Sequence, residues 1–506
     1  MADNSGMSTL CPSPEQVQIR WNNRFHELGS AFFSRVMPQG MPDPYWVAKS
    51  TGAAALLGLS QSDLAQTPIL LALAGNELLP HAQPVASVYS GHQFGQWAGQ
   101  LGDGRAILVG ETQGLEIQLK GCGLTPYSRM GDGRAVLRSS IREFLASEAM
   151  AALGIPTTRA LSVVGSDLPV RRETMETAAV VARLSPSFIR FGHFEHFASQ
   201  DQFDELRQLA DFVIAHHYPQ CAEAHDGQSN VYSRLLACVV ERTAQLMAHW
   251  QALGFCHGVM NTDNMSILGL TLDYGPFQFM DAFDPQHICN HSDHQGRYAF
   301  LRQPDVANWN LFCLGQSLMP LIEDTELALS ALQRFKPVFE AQYLALMRAK
   351  LGLHKQSTDP SAPTDEKDPV IKLTQNILKL LAQQKVDYTI FWRQLSQAAR
   401  GESWDRVRDL FVDRAGFDEW LGAYRRHVDA QASAAAQHAM LSVNPKFVLR
   451  NHLAQQAIAA AQDKDYALLG SLQSVLEHPF DEHPEYEEWA GFPPDWAASI
   501  SVSCSS

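Results

Sequence analysis

The sequence predicts an α+β fold in which a sheet-rich part is followed by a mostly helical part. Strand-like runs and Gly-rich segments begin near residue 85, and the clearest runs are residues 106–109 and 115–120. Residues 115–120 alternate apolar and polar side chains, as expected for a half-buried strand. From about residue 200 the pattern becomes helical, with candidate helices at 204–217, 229–253, 308–322, 326–350, 370–384 and 447–462.

The sheet-rich part also contains one long helix, predicted over residues 135–153. Its apolar side chains fall near a single stripe formed by Leu137, Ile141, Leu145 and Met150. The Gly-Ile-Pro sequence at 154–156 is expected to end this helix. Residues 158–164 and 179–184 predict two further strands.

Changes in composition predict four segments along the chain. They are an N-terminal extension at 1–85, a sheet-rich lobe at 86–195, a helical lobe at 196–440, and a helical C-terminal extension with a tail at 441–506. Residues 353–369 are rich in Pro, Ser, Thr, Asp and Lys, which indicates a surface loop or linker.

Composition excludes several classes of protein. The formal net charge of -15 argues against a general nucleic-acid binder, which normally has a basic surface. No apolar run approaches the length of a membrane span, and no basic residue precedes Arg20 to begin a secretory signal. Eight cysteines without a C-x-x-C spacing do not form a disulfide scaffold or a typical metal site. We therefore expect a cytoplasmic protein that neither crosses a membrane nor binds nucleic acid.

Residues 257–264 and 272–275 have the spacing of a kinase catalytic loop and its metal-binding turn. In the kinase pattern H-x-D-x-x-x-x-N, the Asp two residues after the His accepts the proton of the substrate hydroxyl. Here that position is Val259, whereas Asn264 is in register and Asp273 begins a D-x-G turn. The pattern therefore predicts the metal-binding half of a kinase site without the usual base.

The oxygen atoms of Asn264 and Asp273 are candidate ligands for Mg²⁺, which prefers carboxylate, amide and phosphate oxygens. Asp263 is the remaining carboxylate of the loop and the best candidate for the base. His257 is interpreted as a structural residue of the loop.

Lys120 ends a strand that follows a Gly-rich turn, where a kinase-type fold places its phosphate-binding Lys. The alternative is a surface Lys at the end of a strand. A buried Lys needs a carboxylate partner, and Glu143 on the following helix is favoured over Glu148.

The tetrapeptide Gly-Asp-Gly-Arg occurs at 102–105 and again at 131–134, on either side of Lys120. Gly allows backbone N–H groups to approach a phosphate, although most such segments are ordinary turns. The candidate phosphate-binding residues of these loops are Gly102, Gly104, Arg105, Asp132 and Gly133. Arg183 and Arg190 follow a strand and could bind phosphate oxygens in a fork or form structural ion pairs.

Cys289 lies among several His residues in a loop at 284–294, and Cys504 lies in a small polar tail. The irregular spacing of the loop argues against a zinc site. A disulfide between Cys289 and Cys504 could form a redox latch, and chance placement of two free thiols is the alternative.

Taken together, these motifs resemble the selenoprotein O family of kinase-like proteins. The matching stretches cover most of the chain, at residues 89–95, 102–105, 118–121, 125–129, 132–135, 139–144, 189–195, 257–264, 272–277 and 444–446. The resemblance implies a protein-kinase-like bilobal fold, with a sheet-rich N-lobe, a helical C-lobe and extensions at both ends. It also implies that ATP binds in a flipped orientation with Mg²⁺ or Mn²⁺.

The implied activity is transfer of AMP from ATP to Ser, Thr or Tyr hydroxyls of proteins, with release of pyrophosphate. By position, the resemblance assigns the phosphates to Lys120, Asp132, Gly133, Arg183 and Arg190, with Gly102, Gly104 and Arg105 nearby. It assigns the metal to Asn264 and Asp273, the Lys120 partner to Glu143, and the proton acceptor to Asp263.

Several alternatives stay open. Many family members carry a selenocysteine motif near the C-terminus where this chain has Cys504, so redox regulation is expected. Some bacterial relatives use UTP with Mn²⁺, which makes UMP transfer an alternative. An ordinary phosphotransferase and an inactive ATP-binding scaffold are the others. We expect protein substrates as the partners of a monomeric enzyme.

Overall fold

The computed structural model describes residues 19–223, 230–353, 368–428 and 439–502. In these ranges the strands are β1 Phe33–Arg35, β2 Tyr45–Lys49, β3 Val85–Ser87, β4 Ser90–Gln93, β5 Gln96–Gln100, β6 Ala106–Thr112, β7 Leu115–Lys120, β8 Ala135–Val136, β9 Arg159–Arg171, β10 Met175–Ser185, β11 Phe255–Cys256 and β12 Gln278–Phe279.

The α-helices of the same ranges are α1 Thr51–Leu56, α2 Thr67–Leu73, α3 Leu137–Ala152, α4 Phe191–Ser199, α5 Phe203–His217, α6 Gln220–Glu223, α7 Val231–Leu253, α8 Gln303–Ile322, α9 Thr325–Gln333, α10 Phe335–Lys350, α11 Pro369–Gln384, α12 Tyr388–Ala399, α13 Asp405–Arg408, α14 Arg414–Val428, α15 Asn451–Gln462 and α16 Ala467–Glu477. Turns of 3-10 helix occur at Arg24–Leu28, Asp63–Ala65, Thr262–Asn264, Phe300–Arg302, Pro484–Ala490 and Asp495–Ser499.

An antiparallel sheet with the order β1-β3-β6-β7-β10-β9-β2 dominates the first part of the chain, and β8 pairs with β10. The predicted α+β order is therefore confirmed, with the sheet first and most helices after it. Strands β1 and β2 both come from residues before 85, and they lie at opposite edges of the sheet.

The register between β7 and β10 brings two candidate site residues to one face of the sheet. Lys120 lies opposite Val181, and Arg183 lies opposite Gln118. Because side chains two residues apart in a strand point to the same face, Lys120 and Arg183 share that face. Helix α3 packs against β9 and β10.

The C-terminal helices α15 and α16 also pack against α3. The Arg142 guanidinium of α3 donates hydrogen bonds to the Asn451 side chain at 3.1 Å and to the Phe277 carbonyl at 2.8 Å. The helix that carries Glu143 is thus held by both the sheet and the end of the chain.

The predicted helix over 326–350 is two helices, α9 and α10, which meet at Arg334. Pro337 lies in the first turn of α10, and it has no N–H to continue a hydrogen-bonded helix from α9. Helices α4, α12, α14 and α16 were not predicted from the sequence pattern. None of the helices in the described ranges is both long and apolar enough to cross a membrane.

A buried ion pair connects the helical part to the C-terminal extension. The Arg450 guanidinium, 2% exposed, lies 2.8 Å from the Asp387 carboxylate, which is 4% exposed, and 2.5 Å from that of Asp281. Removal of one partner leaves a buried charge uncompensated.

We expect Arg450→Met to lower the free energy of unfolding by about 3–5 kcal/mol, because Asp387 then stays buried without its cation. Chemical denaturation followed by circular dichroism measures this change. Lys464→Met is the control, since it removes an exposed pair with Asp167 and should leave the free energy of unfolding almost unchanged. Equal losses in the two variants would contradict the structural role of Arg450.

Candidate functional site

Three cations and two carboxylates form an ion cluster around Asp273. The Asp273 carboxylate contacts the Arg190 guanidinium at 2.6 Å, the Lys120 ammonium at 3.3 Å, and the Arg183 guanidinium. The Glu143 carboxylate contacts Lys120 at 2.7 Å and Arg183 at 2.9 Å. The cluster therefore has one more positive charge than negative charges, which suits an anionic ligand.

This arrangement controls the charge of its members. Burial opposes ionisation of Asp273, but Arg190, Arg183 and Lys120 together hold the pKa of its carboxyl well below its usual range. Burial lowers the pKa of Lys120, and the attraction of Glu143 and Asp273 opposes that change. Asp273 consequently stays ionised at neutral pH.

Four separate elements supply the cluster. Lys120 ends β7, Arg183 lies in β10, Glu143 lies in α3, and Arg190 immediately precedes α4. Of the two candidate partners for Lys120, Glu143 is the one that contacts its ammonium group. Glu148 instead binds the Arg159 guanidinium at 2.6 Å and accepts a hydrogen bond from the Ser50 hydroxyl at 2.6 Å.

Asp263 lies in the 3-10 turn Thr262–Asn264, beside the ion cluster. One carboxylate oxygen accepts a hydrogen bond from the Gln93 amide at 3.0 Å, whereas the other is buried without a partner among the described residues. The Arg190 guanidinium donates to the Asp263 carbonyl at 2.8 Å. Burial raises the pKa of the Asp263 carboxyl to about 6, although Gln93 and Arg190 oppose this change.

His257 links the catalytic loop to the turn at Asp273 through its two ring nitrogens. Its Nε2 donates to the Asp273 carbonyl at 2.9 Å, and its Nδ1 accepts from the Val259 N–H at 3.3 Å. The ring stacks on Trp250 with centroids 5.0 Å apart, and burial lowers its pKa to about 4. A neutral, fully bonded imidazole agrees with the structural interpretation of His257.

The residues predicted to hold a divalent metal offer suitable atoms. The Asn264 amide group donates to the Val259 carbonyl at 3.2 Å, so its oxygen stays available as a ligand. With the ionised Asp273 carboxylate, it forms a set of hard oxygen donors that fits Mg²⁺ or Mn²⁺. Both Asp273 oxygens contact cations in this structure, so a metal would have to replace some of these contacts.

The two Gly-Asp-Gly-Arg loops lie close to other backbone segments. Gly102 has a φ of +144°, and a Cβ there would lie 2.4 Å from the Tyr127 ring. Gly133 has a φ of +69°, and a Cβ there would lie 2.1 Å from the Gly123 carbonyl oxygen. Both positions therefore require Gly to keep the loops in place.

Asp132 forms an ion pair with Arg172 at 2.8 Å, and this partner holds the pKa of the Asp132 carboxyl below its usual range. A phosphate would therefore meet the backbone of this loop rather than its carboxylate.

One cavity of about 650 Å³ joins these parts. Among the predicted site residues that the structure describes, its lining includes all but Cys289, namely Gly102, Gly104, Arg105, Lys120, Asp132, Gly133, Glu143, Arg183, Arg190, Asp263, Asn264 and Asp273. Arg129 and Arg171 also line it, and neither they nor Arg105 forms an ion pair with another described residue. The cavity is large enough for a nucleotide and has free positive charge for its phosphates.

Sequence reasoning assigned no role to Gln93, Tyr89 or Arg172. Gln93 bonds Asp263, the Arg190 guanidinium lies 5.2 Å from the Tyr89 ring centroid, and Arg172 binds Asp132. Tyr89 and Gln93 fall in a stretch that matched the family pattern, and that match could have marked them as candidate site residues. Arg172 had no such signal.

Cys289 lies outside the cavity lining and is buried. Its thiol donates to the Cys256 carbonyl at 3.4 Å, and burial together with Cys256 raises its pKa well above the usual range. Cys504 lies outside the described residues. The described end of the tail contacts the Cys289 loop, because the His291 N–H donates to the Val502 carbonyl at 3.2 Å.

Comparison with known proteins identifies the family of this chain. The family described as "Protein adenylyltransferase SelO" matches residues 15–477. The chain is 59% identical to the "Protein nucleotidyltransferase YdiU" of Albidiferax ferrireducens over 97% of this chain and 98% of that protein. It is 58% identical to the protein of the same description in Variovorax paradoxus, over 96% and 97% of the two chains. The chain therefore belongs to the SelO family of protein adenylyltransferases, which confirms the resemblance that its motifs indicated.

Proposed function

We propose that this nucleotidyltransferase moves AMP from ATP to Ser, Thr or Tyr hydroxyls of other proteins and releases pyrophosphate. The observation that carries this proposal is the excess of cationic groups around Asp273 in a nucleotide-sized cavity. We further propose a protein-kinase-like bilobal fold, with lobes at 86–195 and 196–440 and extensions at 1–85 and 441–506. A cytoplasmic, monomeric enzyme is part of the same proposal.

In the proposed reaction the acceptor hydroxyl oxygen attacks the α-phosphorus of ATP. The bond from that phosphorus to the bridging oxygen breaks, and pyrophosphate leaves with increased negative charge. Lys120, Arg183 and Arg190 are positioned to stabilise this charge, as fixed cations in a cavity do for a developing anion. Arg105 adds a guanidinium on the cavity wall that forms no ion pair within the described ranges.

Asn264 and Asp273 are the proposed ligands of Mg²⁺ or Mn²⁺. When bound, the metal would neutralise charge on the phosphate oxygens. Contacts between phosphates and Arg183 or Arg190 would replace the present contacts to Asp273 and leave its oxygens available.

Asp263 is the proposed acceptor of the hydroxyl proton. Its pKa of about 6 means that the carboxylate is mostly ionised at pH 7 yet basic enough to take a proton. Its unpartnered buried oxygen is a free acceptor for a substrate O–H group.

Labelled nucleotides test the reaction. We expect ATP labelled at the α-phosphate to label acceptor proteins, and ATP labelled at the γ-phosphate to leave them unlabelled. Label from the γ-phosphate alone would indicate an ordinary phosphotransferase, and no label from either would indicate an inactive ATP-binding scaffold. Stronger labelling from α-labelled UTP than from α-labelled ATP would indicate that the transferred group is UMP rather than AMP.

The same assay includes Asp273→Asn, which keeps the size of the side chain and removes its charge. We expect at least about a hundredfold loss of transfer, because the metal and the surrounding cations lose their carboxylate. Asp418→Asn is the control, since it removes an exposed carboxylate paired with Arg408 and should leave transfer unchanged. Full activity of Asp273→Asn would exclude the metal assignment.

The pH dependence of transfer tests the base. We expect the rate to fall as the pH drops through about 6, because protonated Asp263 cannot accept a proton. Asp263→Asn should lose about a hundredfold or more in rate and lack this acid limb. Gln93→Met removes the hydrogen bond that lowers the pKa of Asp263, so its acid limb should move to higher pH. If the acid limb of the pH–rate profile is the same in both variants as in the wild type, a group other than Asp263 causes it.

Redox regulation is proposed through a disulfide between Cys289 and Cys504. In this reaction two thiols lose two electrons and two protons to an oxidant such as oxidised glutathione. Cys289 lies directly behind the catalytic loop, because a Cβ on Gly258 would come within 2.6 Å of its sulfur. The Asn290 amide also donates to the Gly258 carbonyl at 3.1 Å, so a covalent bond in this loop can affect residues 257–264.

We expect dithiothreitol to change the transfer rate of the oxidised wild-type chain and to have no effect on Cys504→Ser. Transfer is measured before and after reduction, with free thiols counted in parallel. Cys238→Ser is the control and should respond as the wild type does. An equal response in Cys504→Ser and the wild type would exclude the latch.

A further inference from the structure

A second group of metal-binding side chains lies outside the nucleotide cavity. His92, Glu195 and Cys313 each offer one ligand atom, and these atoms lie within 4.8 Å of one another. The three residues come from β4, α4 and α8, and α4 packs against both β4 and α8. The proposed transfer reaction uses none of them.

Glu195 is the residue that most requires a further partner. Its side chain is 3% exposed, and one oxygen lies 2.6 Å from the Nδ1 atom of His92. The other oxygen is buried and makes no hydrogen bond within the described parts of the chain. Burial raises the pKa of Glu195, and Thr262 and His92 offset this change only in part. A buried carboxylate oxygen of this kind is costly unless it binds a cation or a donor.

The surroundings leave room for an ion and for water. The three side chains line a cavity of about 340 Å³, which also contains Asp201 and Gln316. The His92 ring is held at its edges by Trp97 and Trp309, with centroid distances of 5.1 and 5.4 Å.

Cys313 is only partly buried, and burial raises the pKa of its thiol to about 12. Without a cation the thiol therefore keeps its proton, which a metal would displace. The nearby Arg297 favours the thiolate form.

We propose that His92, Glu195 and Cys313 bind one Zn²⁺ ion, with water from the cavity as the fourth ligand. Imidazole nitrogen, carboxylate oxygen and thiolate sulfur are the usual zinc ligands, whereas Mg²⁺ and Ca²⁺ select oxygen. In a tetrahedral zinc site the nitrogen and sulfur atoms lie about 3.6 Å apart. The three ligand atoms all lie within 4.8 Å of one another here, so side-chain rotation can bring them to the spacing of a zinc site.

This zinc site would contact the catalytic loop without belonging to the nucleotide site. The backbone N–H of His92 donates to the Thr262 hydroxyl at 2.7 Å. Thr262 begins the turn that carries Asp263 and Asn264. Zinc would thus hold β4 and α8 together beside this turn. The two sites differ in chemistry, since the one at Asn264 and Asp273 offers oxygen atoms alone.

Cobalt substitution tests the proposal on the full-length chain after removal of metals with a chelator. We expect one Co²⁺ per chain to produce an intense near-ultraviolet thiolate-to-cobalt band together with visible bands typical of tetrahedral Co²⁺. Zn²⁺ should abolish these bands by competition. Cys313→Ser should lose the near-ultraviolet band, and Glu195→Gln should weaken Zn²⁺ binding by about tenfold or more. Near-ultraviolet circular dichroism checks that each variant is folded.

Three control variants make the outcome specific. Cys238→Ser changes a cysteine of similar burial, Cys289→Ser changes the one in the His-rich loop, and Asp273→Asn changes the nucleotide site. All three should keep the band. If Cys313→Ser does not fold, His92→Asn replaces it and should also lose tight Zn²⁺ binding. No band in the wild type, or a band that survives in Cys313→Ser and His92→Asn, would overturn the proposal.

Discussion

The neutralisation of Asp273 by three cations is the interaction on which the site depends. Asp273 is partly buried, at 19% exposure, and the guanidinium groups of Arg183, at 2%, and Arg190, at 4%, would be buried without a counter-charge if it were removed. Each charge is therefore stable in the protein interior because the others are present. The same arrangement holds guanidinium and ammonium groups ready for phosphates, since a ligand anion can replace the carboxylate as their partner.

The scaffold places these charges through ordinary rules of sheet and helix geometry. Antiparallel pairing of β7 with β10 puts Lys120 and Arg183 on one face. Helix α3 covers that sheet and brings Glu143 to both cations. Helices α15 and α16 also pack against α3, so the end of the chain helps to hold the helix that carries Glu143.

The sequence allowed prediction of those parts of the site that depend on the spacing of residues along the chain. The spacing of kinase motifs along the chain predicted Lys120 at a strand end, Glu143 on the next helix and Asp273 after the catalytic loop. Gln93 could not be assigned in this way, because it lies 170 positions before Asp263 and reaches it only through the tertiary fold. The short edge strands β1 and β2 have too few residues to show alternation. Pro337 was the overlooked signal for the break between α9 and α10.

The position of Asp263 connects the nucleotide site with the proposed zinc site. In the kinase pattern the base stands two residues after the His, and Val259 leaves that place without a titratable group. Asp263 lies in a tight turn whose first residue, Thr262, is bound by the backbone of β4. Gln93 of the same strand binds the carboxylate itself. A single hairpin strand therefore holds the turn that carries the proposed base and opposes the rise in pKa that burial causes, and a metal on His92 would fix that strand.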